Sequence, residues 1–360
     1  MKKIFVAATR QNEGKTVVSL GLIAHFSQQW KVGYIKPIGQ RYLEEQGYKV
    51  DEDSVLIERA CGINCHLRDM SPIAVEKGFT ESHIRGEKKD LPERILNSFA
   101  RVSQNRDLVV IEGTGHAGVG SVFDLSNATV ARLLGAKVLL VSGGGIGRAI
   151  DEIVLNKALF EKEGAELLGV VVNKVFPEKY DKINQLLRKG LEKKGIKVWG
   201  VIPFHSLLTW PTLWQILEEL GGEIVCGGDE LDRMARKMVV GAMEPHHALS
   251  YFEDESLVIT PGDREDIILA AISTLMVPHE GQKRLVGMVW TGGLIPHYTI
   301  LELVKKCNLP VILVEHDTYT TASKINDLTV KIRPVDREKI QAVIKLVEDY
   351  LAMEILWEML

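Results

Sequence analysis

Three consecutive residues, Gly14-Lys15-Thr16, carry the clearest chemistry in the chain. They follow the apolar run Ile4-Phe5-Val6-Ala7-Ala8 after a short polar stretch and lead into a helical pattern. A strand-to-helix turn with this ending is the tail of a phosphate-binding loop. Its glycine lets backbone N–H groups approach phosphate oxygens, the helix N-terminus adds a positive dipole, and its lysine reaches the β- and γ-phosphates. Asn12, Glu13, Gly14, Lys15, Thr16 and Val17 form the expected cradle for a nucleotide such as ATP, with the Thr16 hydroxyl on Mg²⁺. The first glycine of the usual pattern would fall at position 9, where this chain has Thr9.

A dication bridging phosphates needs further oxygen ligands. Glu112 is the best candidate, because it ends the buried run Leu108-Val109-Val110-Ile111 and precedes Gly113-Thr114-Gly115. That places it at the carboxyl end of a strand, the edge where open α/β sheets bind ligands. Asp51 and Asp53 lie in a charged patch before a helical segment, where Asp53 is read equally well as a first-turn helix residue or a metal ligand. Lys36 ends Gly33-Tyr34-Ile35-Lys36-Pro37 and suits an anionic substrate or a developing negative charge. His116, in the glycine-rich stretch after Glu112, is read as exposed, with a catalytic role left open. Gly143-Gly144-Gly145-Ile146-Gly147-Arg148 is read as a close-approach turn at the same edge.

These residues need a scaffold that brings strand ends together. Over the first 220 residues, short apolar runs (4–8, 33–36, 108–112, 137–141, 168–172, 197–202) alternate with amphipathic stretches (16–28, 91–103, 127–134, 150–163, 179–193). The pattern predicts strands buried on both faces of a parallel sheet in a doubly wound α/β domain. Glycines 221, 222, 227 and 228 mark a boundary, giving domains at 1–220 and 221–360. The second is a smaller α/β domain, with strands at 257–260, 285–290 and 311–315 and helices at 263–275, 298–307, 318–325 and 336–351.

Composition narrows the function classes. The 360 residues are 46% hydrophobic and 26% charged, and 44 Lys+Arg against 48 Asp+Glu give a net charge of −4, with no broad case for nucleic acid. No run approaches the length of a membrane span and the start lacks a signal-peptide pattern. Four scattered cysteines suggest a reduced, cytoplasmic protein rather than a disulfide framework. Cys61, Cys65 and His66 do not make a closed zinc site. The basic stretch 179–194 reads as a solvated helix face, and His246-His247 as a surface turn. The apolar tail 350–360 is expected to pack on the second domain or across a homo-oligomer interface.

Residues 1–205 resemble the dethiobiotin-synthetase family of P-loop proteins, which includes the cobyrinic acid amidase type. The match runs through Phe5–Thr9, Glu13–Thr16, Gly33–Pro37, Asp53, Val110–Gly113, Val171–Lys174 and Gly200–Pro203. That family also lacks the first loop glycine. The resemblance implies Mg²⁺ contacts from Thr16, Asp53 and Glu112, Lys15 and Lys36 flanking a phosphate-transfer centre, and Asn173 reading the nucleotide base. It does not carry over the substrate, because Ile38-Gly39-Gln40-Arg41-Tyr42 replaces the small serine-containing segment that holds the diamine. From Gly222 the chain resembles the DRTGG domain, through 259–266 and Val289-Trp290-Thr291-Gly292-Gly293. The order of the two domains resembles the N-terminal, non-catalytic part of long bacterial phosphotransacetylases, whose acetyltransferase domain would follow residue 350 or so.

Three readings remain at this stage. One is a Mg²⁺-nucleotide-binding regulatory module without acetyltransferase activity, responding to a small anionic substrate or effector. Another is an ATP-dependent ligase activating a carboxylate or carbamate. The third is an oligomerisation scaffold with a vestigial loop, against which the retained Lys15, Thr16, Asp53 and Glu112 argue.

Overall fold

The computed structural model describes residues 1–87, 90–276 and 284–360. Packing divides the chain into two compact units, Met1–His205 with Ile332–Leu360, and Ser206–Lys331. The division falls at 205/206 rather than 220/221, and the last 29 residues return to the first unit.

The sheet of the first unit contains β1 (Lys2–Ala8), β2 (Val32–Ile35), β3 (Leu108–Glu112), β4 (Lys137–Gly143), β5 (Leu167–Val175) and β6 (Val198–Pro203). Their order is β6-β5-β4-β1-β3-β2, and every pairing is parallel. Ile4 through Ala8 and Leu108 through Glu112 are wholly enclosed, as strands covered on both faces must be. Each enclosed aliphatic side chain contributes roughly 1.5–3 kcal/mol. The register sets Val6 beside Glu112, so the ends of β1 and β3 emerge together. α1 (Lys15–Phe26) begins at the end of the loop after β1, and α2 (Glu52–Cys61) follows a small hairpin, Tyr42–Glu45 with Tyr48–Asp51.

The sequence suggested that the apolar tail packs on the second domain or across a homo-oligomer interface; in the structure it packs on the first unit. Helix Arg337–Tyr350 lies against α1, where Gly21 is needed because a Cβ there would meet Val347 Cβ at 2.3 Å. Leu351 pairs with Gly200, Lys2 Nζ donates to the Trp357 carbonyl at 2.8 Å, and the Trp357 ring stacks on Trp30 with centroids 4.6 Å apart. α1 is apolar beyond the face it turns to the sheet, so it needs this second cover.

In the second unit, β7 (Glu223–Cys226), β8 (Lys237–Val240), β9 (Ser256–Pro261), β10 (Gly287–Thr291) and β11 (Val311–Leu313) form a sheet ordered β7-β11-β10-β9-β8. Only β7 runs antiparallel to its neighbour. Helices Glu265–Met276, Tyr298–Lys306 and Thr318–Asp327 follow successive strands, the last capped by Asp317, which accepts from Thr320 N at 3.0 Å. The architecture of the whole chain is thus a mostly parallel doubly wound α/β unit plus a smaller α/β unit. Among the described residues, no helix is long and apolar enough to cross a membrane.

Candidate nucleotide site

The loop after β1 takes the shape a phosphate cradle requires. Asn12 and Gly14 have φ of 61° and 97°, in the left-handed region, before α1 starts at Lys15. Asn173, at the end of β5, donates through Nδ2 to Glu13 O at 3.0 Å and accepts from Lys174 N at 2.9 Å. Its amide therefore braces the loop. A Cβ at position 14 would lie 2.1 Å from Asn173 Nδ2, so glycine is required for space as well as for φ. Lys174 Nζ donates to Asn12 O. The end of β4 closes the other side, with Gly143 so near the Glu13 carboxylate that a Cβ would sit 2.5 Å from it. Burial pushes the Glu13 carboxyl up, with Lys174 opposing.

The acidic partners converge from the end of β3 (Glu112), the end of the hairpin (Asp51) and the first turn of α2 (Asp53). Thr16 Oγ1 donates to Glu112 Oε1 at 2.9 Å, and Tyr34 OH, on β2, donates to Glu112 Oε2 at 3.2 Å. Lys36 stands just past β2, almost fully enclosed. Its ammonium lies 2.8 Å from Asp51 Oδ1, bonds Asp53 Oδ2 and sits 3.9 Å from Glu112 Oε1. Burial works against that charge, yet Asp53, Asp51 and Glu112 together hold it above the ordinary lysine range. Burial also raises the Glu112 carboxyl, aided by Asp53 and opposed by Lys36 and Lys15. Lys15, by contrast, is pushed down by burial against the pull of Glu112. The structure thus brings Lys15, Thr16, Lys36, Asp53 and Glu112 to one place.

Asp51, noted in the sequence only as part of a charged patch, and Tyr34, not singled out there, join them. Asp51 caps α2 by accepting from Asp53 N at 3.0 Å while pairing with Lys36, and Gly39 permits this because any Cβ there would lie 2.6 Å from its carboxylate. An aspartate two residues before another at a helix start is the available sequence signal. Asn127 and Asn156 are also new. Asn127 Oδ1 accepts from Thr114 N at 3.1 Å and Nδ2 donates to the carbonyls of Thr114 and His116, while Asn156 Oδ1 accepts from Ala117 N at 2.8 Å. Together they pin the loop after Glu112. His116 itself is exposed, with Nδ1 accepting from Gly118 N at 3.2 Å.

The donor set suits a hard dication. Two carboxylates and a hydroxyl are oxygen ligands, and the cluster already holds a positive charge, the Lys36 ammonium. Among the described residues no group of three or more His, Cys, Asp or Glu side chains is placed to hold a metal alone, so phosphate oxygens and water would complete the shell.

Comparison with known proteins gives the family. Residues 2–212 match the AAA domain and residues 215–328 the DRTGG domain. The chain belongs to the AAA domain family. This AAA domain protein is 28% identical to the phosphate acetyltransferase of Nitratidesulfovibrio vulgaris over 97% of its own length and 50% of that relative. It is 27% identical to the Nitrosomonas europaea phosphate acetyltransferase, over 99% and 51%. The chain spans about half the length of the curated relatives it matches, consistent with their N-terminal part. Among solved structures, the CBS and DRTGG domains of a Clostridium perfringens pyrophosphatase regulatory region align at 28% identity over 35% of this chain and 49% of that one, with a TM-score of 0.28. The MinD cell division protein of Aquifex aeolicus aligns at 14% identity over 58% and 85%, with a TM-score of 0.36.

Proposed function

We propose that the AAA domain of this chain binds a magnesium–nucleoside triphosphate and that the protein acts as a nucleotide-responsive regulatory module. The observation that carries this reading is the contact of Thr16, on the cradle, with Glu112, at the neighbouring strand end, at 2.9 Å. Amides of residues 12–16 would receive phosphate oxygens, Lys15 would reach the terminal phosphates, and Thr16, Asp53 and Glu112 would hold Mg²⁺, which when bound neutralises charge on the phosphates. Lys36 would keep the carboxylates from repelling one another before the nucleotide arrives.

The segment after Lys36 supports binding over ligation. Ile38-Gly39-Gln40-Arg41-Tyr42, which replaces the diamine-holding segment, leads into the hairpin Tyr42–Asp51, whose far end delivers Asp51 onto Lys36. The second unit would then receive an effector or another subunit. The test is titration of the protein with Mg²⁺-ATP and Mg²⁺-GTP alongside phosphate-release and acetyl-phosphate assays. Stoichiometric binding without substrate-stimulated turnover is expected, with affinity falling about a hundredfold or more in Lys15→Ala. Turnover stimulated by a carboxylate or an amine would instead select the ligase. Unchanged affinity in Lys15→Ala would remove the site.

A further inference from the structure

Arg106 stands two residues before β3, at the opposite end of that strand from Glu112. The two ends are roughly 15–20 Å apart along an extended chain. There the first unit carries a second concavity, a cleft of about 400 Å³ lined by Asn64, Cys65, His66, Asp69, Arg101 and Arg106 among others. None of these residues belongs to the phosphate cradle, and the volume is that of a small-molecule pocket.

Its charges do not balance. Asp69 is buried and its Oδ1 takes both Nε and Nη2 of Arg101, at 2.8 and 2.7 Å. That pair is closed. Arg106 has no such partner: its Nη2 donates to Asn64 O at 2.6 Å and approaches Cys65 Sγ at 3.3 Å, both uncharged. Its Nε is buried without a hydrogen-bond partner among the described residues. Arg106 is half-exposed, and a guanidinium whose hydrogen-bond partners are uncharged is suited to an anionic acceptor from outside. Arg101, Arg106 and Asp69 together leave one uncompensated positive charge. Gln104 and Asn105 line the same cleft and add neutral donors.

We propose that this cleft is a binding site for a small oxyanion-bearing metabolite, a carboxylate or a phosphate monoester, with Arg106 as its charged anchor. The planar guanidinium offers donors in a fork that matches either group. Asn64 and Cys65, held by the same arginine, form the wall that the ligand covers.

Cys65 supplies the reporter. The full chain is treated with iodoacetamide at about pH 8 and each cysteine is followed by peptide mass spectrometry, with about 10 mM phosphate, malonate or ionic-strength-matched chloride present. At least one of the two oxyanions is expected to slow Cys65 about fivefold or more relative to chloride, leaving Cys307 unchanged. Stronger protection by phosphate assigns a phosphoryl ligand, and stronger protection by malonate a carboxylate. Protection should vanish in Arg106→Gln and persist in Lys15→Ala, which separates this cleft from the nucleotide cradle. Should Arg106→Gln fail to fold, Arg106→Lys keeps the charge without the fork and should need about ten times more anion. No protection by either anion, protection that survives Arg106→Gln, or protection lost in Lys15→Ala would each overturn the proposal.

Discussion

Replacing Lys36 with methionine tests the electrostatics of the cluster directly. The substitution keeps the chain length and removes one ammonium that lies 2.8 Å from Asp51, bonds Asp53 and sits 3.9 Å from Glu112. Three enclosed carboxylates then face one another with Lys15 as the remaining cation among the groups acting on Glu112. Breaking a buried ion pair from one side costs about 3–5 kcal/mol. At about 2–4 °C per kcal/mol, the first unit of Lys36→Met should melt roughly 6–20 °C below the wild type at pH 8. The pH dependence has a definite sign. Burial and Asp53 already raise the Glu112 carboxyl, and losing Lys36 removes an opposing pull. A carboxyl raised in the folded state contributes stability that is complete below its unfolded value of about 4 and is lost as pH rises through the folded value. The gap between variant and wild type should therefore narrow as pH falls from 8 toward 5.5, and should narrow again with millimolar Mg²⁺ at pH 8, because a dication can replace the missing charge. Thermal unfolding followed by circular dichroism reads all three. A gap below about 1 kcal/mol, or one indifferent to both protons and Mg²⁺, would refute the reasoning.

Gly14→Ala should cost about 1–2 kcal/mol from its φ of 97° alone, and more from the collision with Asn173. Adding Asn173→Ala should recover only the collision, so a double-mutant cycle on urea unfolding should show a coupling of about 0.5–3 kcal/mol, and strict additivity would contradict the packing. Trp357→Ala removes a ring stacked 4.6 Å from Trp30 and 5.2 Å from Phe26, with Lys2 Nζ 5.1 Å above it, and should destabilise the first unit by about 2 kcal/mol in urea titration. Burial pushes the Cys61 thiol up to about 12, so at pH 8 roughly one molecule in ten thousand carries the thiolate there. Its alkylation should be about a thousandfold slower in the native protein than after denaturation in guanidinium, and a rate near the denatured one would mean that Cys61 is open to solvent.

What could be read from the sequence was whatever a short stretch encodes by itself. The runs 108–112 and 127–134 coincide with elements of the structure to the residue, because a five-residue apolar strand or a capped amphipathic helix declares its own limits. Gly14-Lys15-Thr16 and Glu112 announce a strand-end site for the same reason. Features created by partners far away in the chain stayed hidden. Asp51 matters only once the hairpin folds its carboxylate onto Lys36, and Tyr34 reads as one more buried strand residue until its hydroxyl meets Glu112. Asn127 and Asn156 look like helix residues and act as loop braces. The tail was recognisable as apolar, but its destination depended on a second bare face of α1, which periodicity does not reveal.

The return of residues 332–360 to the first unit makes the second unit an insertion in the chain order. During vectorial synthesis Met1–His205 leaves the ribosome with one flank of α1 uncovered, and it stays uncovered until residues 332–360 have followed the second unit out. At about 5–20 residues per second the wait is on the order of ten seconds, long enough for the intervening unit to fold first.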